Sequence, residues 1–225
     1  VTDYQHHWKD GMPVNLPLGK IVCVGRNYAE HARELNNPVP DEPLLFIKPA
    51  TSAVHLTRPI ALVTDKGSVH FETELAVLIG RPLTNASASE AEAAILGYGL
   101  ALDLTYRDLQ SELKKKGHPW ERAKSFDGAC PLSPFVPVDQ LPRDHQTFTL
   151  DINHQRQQSG DTREMLNQIV PLIAHMSSHF TLLPGDVILT GTPSGVGPLQ
   201  AGQTLSLELD QALFVETHVV NASDT

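Results

Sequence analysis

Two apolar runs, residues 69–79 and 97–104, have the composition of core strands, yet between them they carry three carboxylates: Glu72, Glu74 and Asp103. In a strand, residues two apart share a face. Glu72 and Glu74 then point one way while Phe71, Leu75, Val77 and Ile79 point the other, toward a core. Asp103 shares its parity with Gly97, Gly99, Ala101, Thr105 and Arg107, which leaves open space on its side. If the two strands lie close together, their acidic faces converge, and converging anions repel and are costly to desolvate. Three carboxylates on core strands therefore suggest a neutralising cation. Hard oxygen donors, without Cys or His at zinc spacing, favour Mg²⁺ or Mn²⁺, with Ca²⁺ behind. For Glu72-Thr73-Glu74 alone, the solvated face of a half-buried strand is the simpler explanation. Asp103 moves the balance toward a site, because small residues flank it and the polar run Thr105-Tyr106-Arg107-Asp108-Leu109-Gln110 follows. Strand ends of this kind often carry ligand-binding groups.

The chain has 225 residues, 40% hydrophobic and 19% charged, which suffices for one substantial core. A single domain over residues 19–225, preceded by an arm at 1–18, is expected. The net charge of −9 and a single basic run, Lys114-Lys115-Lys116, argue against nucleic acid and anionic membranes as partners. That lysine run reads as the solvated end of a helix before Gly117. No stretch approaches the roughly 20 apolar residues that span a bilayer, and residues 1–20 lack the apolar core of a signal peptide. A soluble, cytoplasmic protein is expected. Cys23 and Cys130 are too few for a disulfide framework and read as buried thiols.

Strands are expected at 20–25, 44–49, 147–153, 187–190, 205–209 and 213–220, and helices at 27–35, 90–94 and 107–116, the first ending at Asn36-Asn37-Pro38. Residues 119–142 form a long stretch punctuated by proline. Asp161-Thr162-Arg163-Glu164 has the form of a capping box. The helix it would open spaces Met165, Ile169, Leu172, Met176 and Phe180 on one apolar face, and Pro171 should kink or divide it. Strands outnumber helices and no βα repeat recurs, so the class is α+β with β dominant.

His31 and Glu34, three apart on the first helix, face each other. Such a pair is often a surface ion pair; it is also the arrangement of a general base oriented by a carboxylate. The loop Gly191-Thr192-Pro193-Ser194-Gly195 lacks the ending of a phosphate-binding loop. It is either a surface turn or a set of backbone N–H groups and the Thr192 hydroxyl holding a substrate carboxylate. Lys124 is either an exposed lysine or a cation facing a substrate anion. Lys48, ending an apolar strand, must find water, a carboxylate or a ligand.

Taken in order, Val24-Gly25-Arg26-Asn27-Tyr28, His31 with Glu34, Phe46-Ile47-Lys48-Pro49, Glu72-Thr73-Glu74, Leu102-Asp103-Leu104-Thr105, Arg107-Asp108-Leu109-Gln110, Ala123-Lys124-Ser125-Phe126 and Thr190-Gly191-Thr192-Pro193 give a chain that resembles the fumarylacetoacetate hydrolase family, in particular its short acylpyruvase-type members. The resemblance runs from about residue 20 to the C-terminus. It implies a β-rich mixed roll, a homodimer, and Mg²⁺ or Mn²⁺ on Glu72, Glu74 and Asp103. It implies further that His31 and Glu34 lie on a lid and activate water, that Lys124 acts beside them, and that Arg26, Lys48, Arg107, Gln110, Gly191 and Thr192 bind substrate, a small 2-oxo or diketo acid. The expected reaction is hydrolysis of the C–C bond of an acylpyruvate through a pyruvate enolate. Tautomerisation or decarboxylation of oxaloacetate at the same site is the alternative, and a non-catalytic organic-acid-binding protein is a remote third.

Overall fold

Runs of Val, Ile and Leu bounded by Gly, Pro, Asn and Asp set the strands of this chain. The computed structural model describes residues 4–34, 40–63, 65–142 and 144–224. Among these lie the strands β1 (Lys20–Gly25), β2 (Leu44–Pro49), β3 (Ala53–His55), β4 (Ile60–Leu62), β5 (Val69–Phe71), β6 (Thr73–Ile79), β7 (Ile95–Leu102), β8 (Thr105–Tyr106), β9 (Cys130–Leu132), β10 (Val136–Pro137), β11 (Thr147–Ile152), β12 (Gln155–Asp161), β13 (Val187–Leu189), β14 (Gly197–Pro198), β15 (Thr204–Leu209) and β16 (Leu213–Asn221). The helices are α1 (Ala29–Glu34), α2 (Ala88–Ala93), α3 (Arg107–Lys116), α4 (Glu121–Lys124) and α5 (Ile169–His179). The class is the β-dominated α+β expected. No described helix is long and apolar enough to cross a membrane.

The largest sheet runs β2-β1-β13-β6-β7-β9-β3, with β10 added beside β7. Its β1/β13 and β3/β9 pairs are parallel and the others antiparallel. A second sheet, β12-β11-β15-β16-β4, alternates cleanly, with Leu205, Leu207 and Leu209 turned inward. A small third sheet joins β14, β5 and β8.

Every residue of β6 is buried. Leu75, Val77 and Ile79 join the main core, as their parity predicts. Ala76 and Leu78, on the face of Glu74, pack into a second core with Ile21, Cys23, Val187 and Phe135. The acidic face is therefore open only around the carboxylates. Nor do Gly97 and Gly99 leave open space. A side chain at Gly97 would meet Val136 O and Trp8, and one at Gly99 would meet Ser133, Pro134 O and Phe135. Their missing side chains admit the 133–136 segment and the N-terminal arm, whose His6 and Val14 are buried. Cys23 and Cys130 are buried free thiols.

Three expectations need correction. The strand over 69–79 divides at Glu72, because the Thr73 N–H turns to Gln158 Oε1 (2.9 Å). Asp161 caps only a 3-10 turn, Thr162–Glu164, and α5 starts later, at Ile169. Pro171 then falls in the first turn, where no N–H is needed, and does not divide the helix. A full capping box does occur, at Ser87 and Glu90 of α2. The proline-punctuated residues 119–142 contain α4, β9 and β10, because pairing with β7 and β3 organises the prolines. The expected helix end at Asn36-Asn37-Pro38 lies outside the described residues.

Candidate active site

The antiparallel register of β6 on β7 sets Glu74 opposite Ala101, and Asp103 N donates to Glu72 O (2.8 Å). Carboxylate oxygens of Glu72, Glu74 and Asp103 consequently lie within 4.8 Å of one another, and the three residues are 6%, 2% and 1% exposed. The convergence inferred from parity and strand adjacency is present.

Three cations face the triad. Lys124 Nζ donates to Glu72 Oε2 (2.9 Å) and Asp103 Oδ2 (2.7 Å). Arg107 donates to Glu72 Oε1 and to Gln110 Oε1 (2.8 Å). Lys48, fully buried on β2, lies 2.8 Å from Asp103 Oδ1 and donates to the carbonyls of Lys124 and Ala129. Burial would raise the Glu72 carboxyl, but Lys124 and Arg107 outweigh it and hold Glu72 well below the usual carboxylate range. Lys124 is likewise held firmly protonated by Asp103 and Glu72 against the opposing effect of burial.

Among the described residues Glu74 pairs with no cation, and its Oε2 accepts from the Gly191 N–H (2.6 Å). Burial, with Asp103 and Glu72 beside it, pushes its carboxyl well above the ordinary value. Asp103 Oδ1 is ion-paired with Lys48 Nζ but accepts no hydrogen bond among the described residues. A carboxyl destabilised as an anion and an all-oxygen donor set fit a hard divalent cation.

His31 is 4% exposed on α1, with Nδ1 3.3 Å from Glu34 Oε2. Glu34, exposed at the rim, also accepts from the Gly195 N–H (3.0 Å), so α1 is tied to the 191–198 loop. Asn27 anchors the start of this segment. Its amide donates to Thr190 O (2.8 Å) and Asn167 O (3.0 Å), and its Oδ1 accepts from the Asn167 N–H (2.8 Å). Arg26, at a left-handed φ of 59°, turns the chain out of β1 and lines the cleft.

The 191–195 loop faces the site through its amides. The Gly191 and Gly195 amides are committed to Glu74 and Glu34, so they organise the site's own carboxylates and are not free for a substrate. Gly191 sits at φ +95°, with space for no side chain against Asn27. Thr192 does line the cleft. Its Oγ1 accepts from Gln158 Nε2 (2.8 Å), which leaves the hydroxyl proton available.

His31, Arg26, Glu72, Glu74, Asp103, Arg107, Gln110, Lys124 and Thr192 line one narrow cleft with about 30 Å³ of free space. Lys48 stands behind it on Asp103, and Glu34 and Gly191 touch it through His31 and Glu74. Sequence reasoning missed Gln158, 1% exposed, which links the Thr73 N–H between the two glutamates to Thr192. It also missed Trp120 and Lys114, both in the cleft wall. Lys114, expected at a solvated helix end, follows Arg107 by seven residues and Gln110 by four, a spacing that puts all three on one helical face.

Residues 20–220 match the family described as fumarylacetoacetate (FAA) hydrolase C-terminal. The chain is 53% identical over 209 residues to the oxaloacetate tautomerase YcgM of Escherichia coli (strain K12), covering 92% of this chain and 95% of that protein. It is 42% identical over 200 residues to the mitochondrial oxaloacetate tautomerase FAHD1 of Bos taurus, covering 88% and 90%. Its fold superposes with a TM-score of 0.90, at 33% identity, on the crystal structure of fumarylpyruvate hydrolase from Pseudomonas aeruginosa in complex with Mn²⁺ and pyruvate, covering 97% of this chain and 96% of that one. With the family match spanning nearly the whole chain and the acid triad at its centre, this protein is an enzyme of the fumarylacetoacetate hydrolase family.

Proposed function

We propose that the chain is a divalent-metal-dependent oxaloacetate keto–enol tautomerase, with decarboxylation of the same oxo acid as a further capacity of the site. The observation that carries this is the 53% identity to an oxaloacetate tautomerase over 92% of the chain. It moves the reading away from acylpyruvate hydrolysis, which the residues alone favoured.

Glu72, Glu74 and Asp103 would hold Mg²⁺ or Mn²⁺, which when bound supplies positive charge beside the 2-oxo oxygen of the substrate. Tautomerisation moves one proton from C3 to that oxygen, and the C2=C3 double bond forms as the C3–H bond breaks. His31 is the group in position to carry the proton. Its Nδ1–H donates to Glu34, which leaves the Nε2 lone pair as the base. Glu34 then stabilises the imidazolium that forms. Lys124 adds fixed positive charge near the developing enolate. Thr192 donates its hydroxyl proton to a substrate carboxylate while Gln158 holds its oxygen. Arg107 and Gln110 bind from α3, and Arg26 from the turn after β1. Lys48 keeps Asp103 in place. We further expect the protein to act as a homodimer, with a mass that light scattering would read.

Hydrolysis of acylpyruvates is the second reading. It is favoured by the structural similarity to a fumarylpyruvate hydrolase that holds Mn²⁺ and pyruvate, and by a His31/Glu34 pair able to deprotonate water. The test gives metal-stripped protein fresh oxaloacetate, with and without Mg²⁺ or Mn²⁺, and follows enol absorbance and pyruvate together. Metal-dependent enol loss without matching pyruvate supports the tautomerase. Matching pyruvate release makes the protein a decarboxylase. No effect on oxaloacetate, with pyruvate and acetate released from acetylpyruvate, reinstates the hydrolase.

A further inference from the structure

We propose that Lys114 binds the distal carboxylate of a C4 2-oxo dicarboxylic acid, so that the cleft selects oxaloacetate over 2-oxo acids with an uncharged tail. This deepens the tautomerase reading and rests on it for the position of the substrate's inner end.

Helix α3 presents Arg107, Gln110 and Lys114 on one face, and all three line the cleft. Arg107, at the inner end, bonds Glu72. Lys114 lies two turns further on, about 10 Å along the axis at 1.5 Å per residue. Side chains on a helix lean toward its N-terminus, so the long Lys114 side chain leans back along the wall toward the acidic end. A substrate gripped at that end would project its far group toward Lys114.

Lys114 differs from the other cations in its lack of commitment. Lys48 is paired with Asp103, Lys124 with Glu72 and Asp103, and Arg107 with Glu72. Lys114 Nζ makes no ion pair or hydrogen bond among the described residues, and lies 4.8 Å from the centroid of the Trp120 ring. An aromatic face attracts an ammonium without using up its N–H donors as a carboxylate would. Trp120 stands 6.4 Å from Phe46, whose ring lies 5.3 Å from Lys124 Nζ, so the aromatic pair separates the two ammonium groups. Partial burial, with Arg26, Arg107 and Lys124 nearby, lowers the Lys114 pKa to about 8. A cation held among like charges and short of water is relieved by an incoming carboxylate. An uncharged acyl tail would instead desolvate it without compensation.

The test compares oxaloacetate with its C4 methyl ester, which keeps the 2-oxo acid and its acidic C3 protons but loses the distal charge. Metal-loaded wild type, Lys114→Gln and Lys114→Arg are assayed on both. Wild type is expected to prefer the diacid. Lys114→Gln is expected to lose about tenfold or more of that preference in kcat/KM, expressed in KM for the diacid, as loss of a charge-assisted hydrogen bond predicts. Lys114→Arg should retain most of it. A wild type that does not distinguish acid from ester, or a loss in Lys114→Gln that falls equally on both or only in kcat, overturns the assignment. Calorimetry supplies a readout without turnover. Malate should bind Lys114→Gln about tenfold or more weakly than wild type, whereas oxalate, which has no carboxylate beyond its chelating pair, should bind both alike. Equal malate affinities overturn the assignment. If wild type turns over neither compound, the tautomerase reading fails, and the malate titration alone decides the Lys114 site.

Discussion

At Glu74 stability and ligand binding pull in opposite directions. Burial and its acidic neighbours raise its carboxyl well above 4.5, so the folded chain keeps this proton where the unfolded chain has released it. Stability of the metal-free protein should therefore fall as pH rises from about 4.5 toward the raised value. Glu72 acts with the opposite sign. Its folded pKa is depressed, so the stability from its pairing with Lys124 and Arg107 is present above the ordinary glutamate pKa and is lost as pH falls through the lower folded value. Glu74→Gln should thus raise the Tm of the chelated protein near neutral pH, by about 2–4 °C for each 1 kcal/mol relieved in a chain of this size. The same variant should lose most of the Tm gain that Mg²⁺ or Mn²⁺ gives the wild type. A chelated variant that melts below wild type at neutral pH would remove the strain assigned to Glu74. The residue types were legible in the sequence here, because carboxylates in apolar strands stand out; which of the three carries the desolvation cost depends on where Lys124 and Arg107 reach.

Among elements, two polar clamps hold the site together. The first joins α1 to the 191–198 loop through Glu34 and Gly195. His31→Ala should lower kcat by about 10²–10⁴, the usual contribution of a general base. Glu34→Gln should cause a smaller loss, measured in the same assay, since His31 remains. Equal activity in wild type and His31→Ala would take the proton transfer away from α1. The second clamp is Gln158 of β12, which accepts from Thr73 N–H and donates to Thr192 Oγ1 and Pro193 O. Gln158→Ala strands a buried N–H and should cost about 1–3 kcal/mol of stability in denaturant unfolding, with a raised KM as Thr192 loses its orientation. The His31/Glu34 pair could be found in the sequence because helical spacing is local. Gln158 could not, because it lies 85 residues from Thr73 and carries no pattern of its own.

For the molecule as a whole, a divalent cation that binds only the folded state should stabilise it by mass action. At a concentration one hundred times its Kd the gain is about 2.7 kcal/mol, which differential scanning calorimetry would register as a Tm rise of about 5–10 °C over chelated protein. No shift with either Mg²⁺ or Mn²⁺ would leave the triad without its proposed ligand. The order of motifs from Val24 to Pro193, the α+β class and the alternating strands of the second sheet were determined by the sequence, because hydrophobic period, turn residues and ordered motifs are local properties of the chain. The burial of β6 on both faces, the break at Glu72, the late start of α5 and the folding of 119–142 into strands and a helix were decided only in the tertiary structure. There, neighbouring elements supply hydrogen bonds and contacts that no window of sequence contains. Lys114 shows the division within one residue: its sequence position gives its helix face, but Trp120, Arg26 and Lys124, brought in by the fold, change it from a solvated lysine into a cation of the cleft wall.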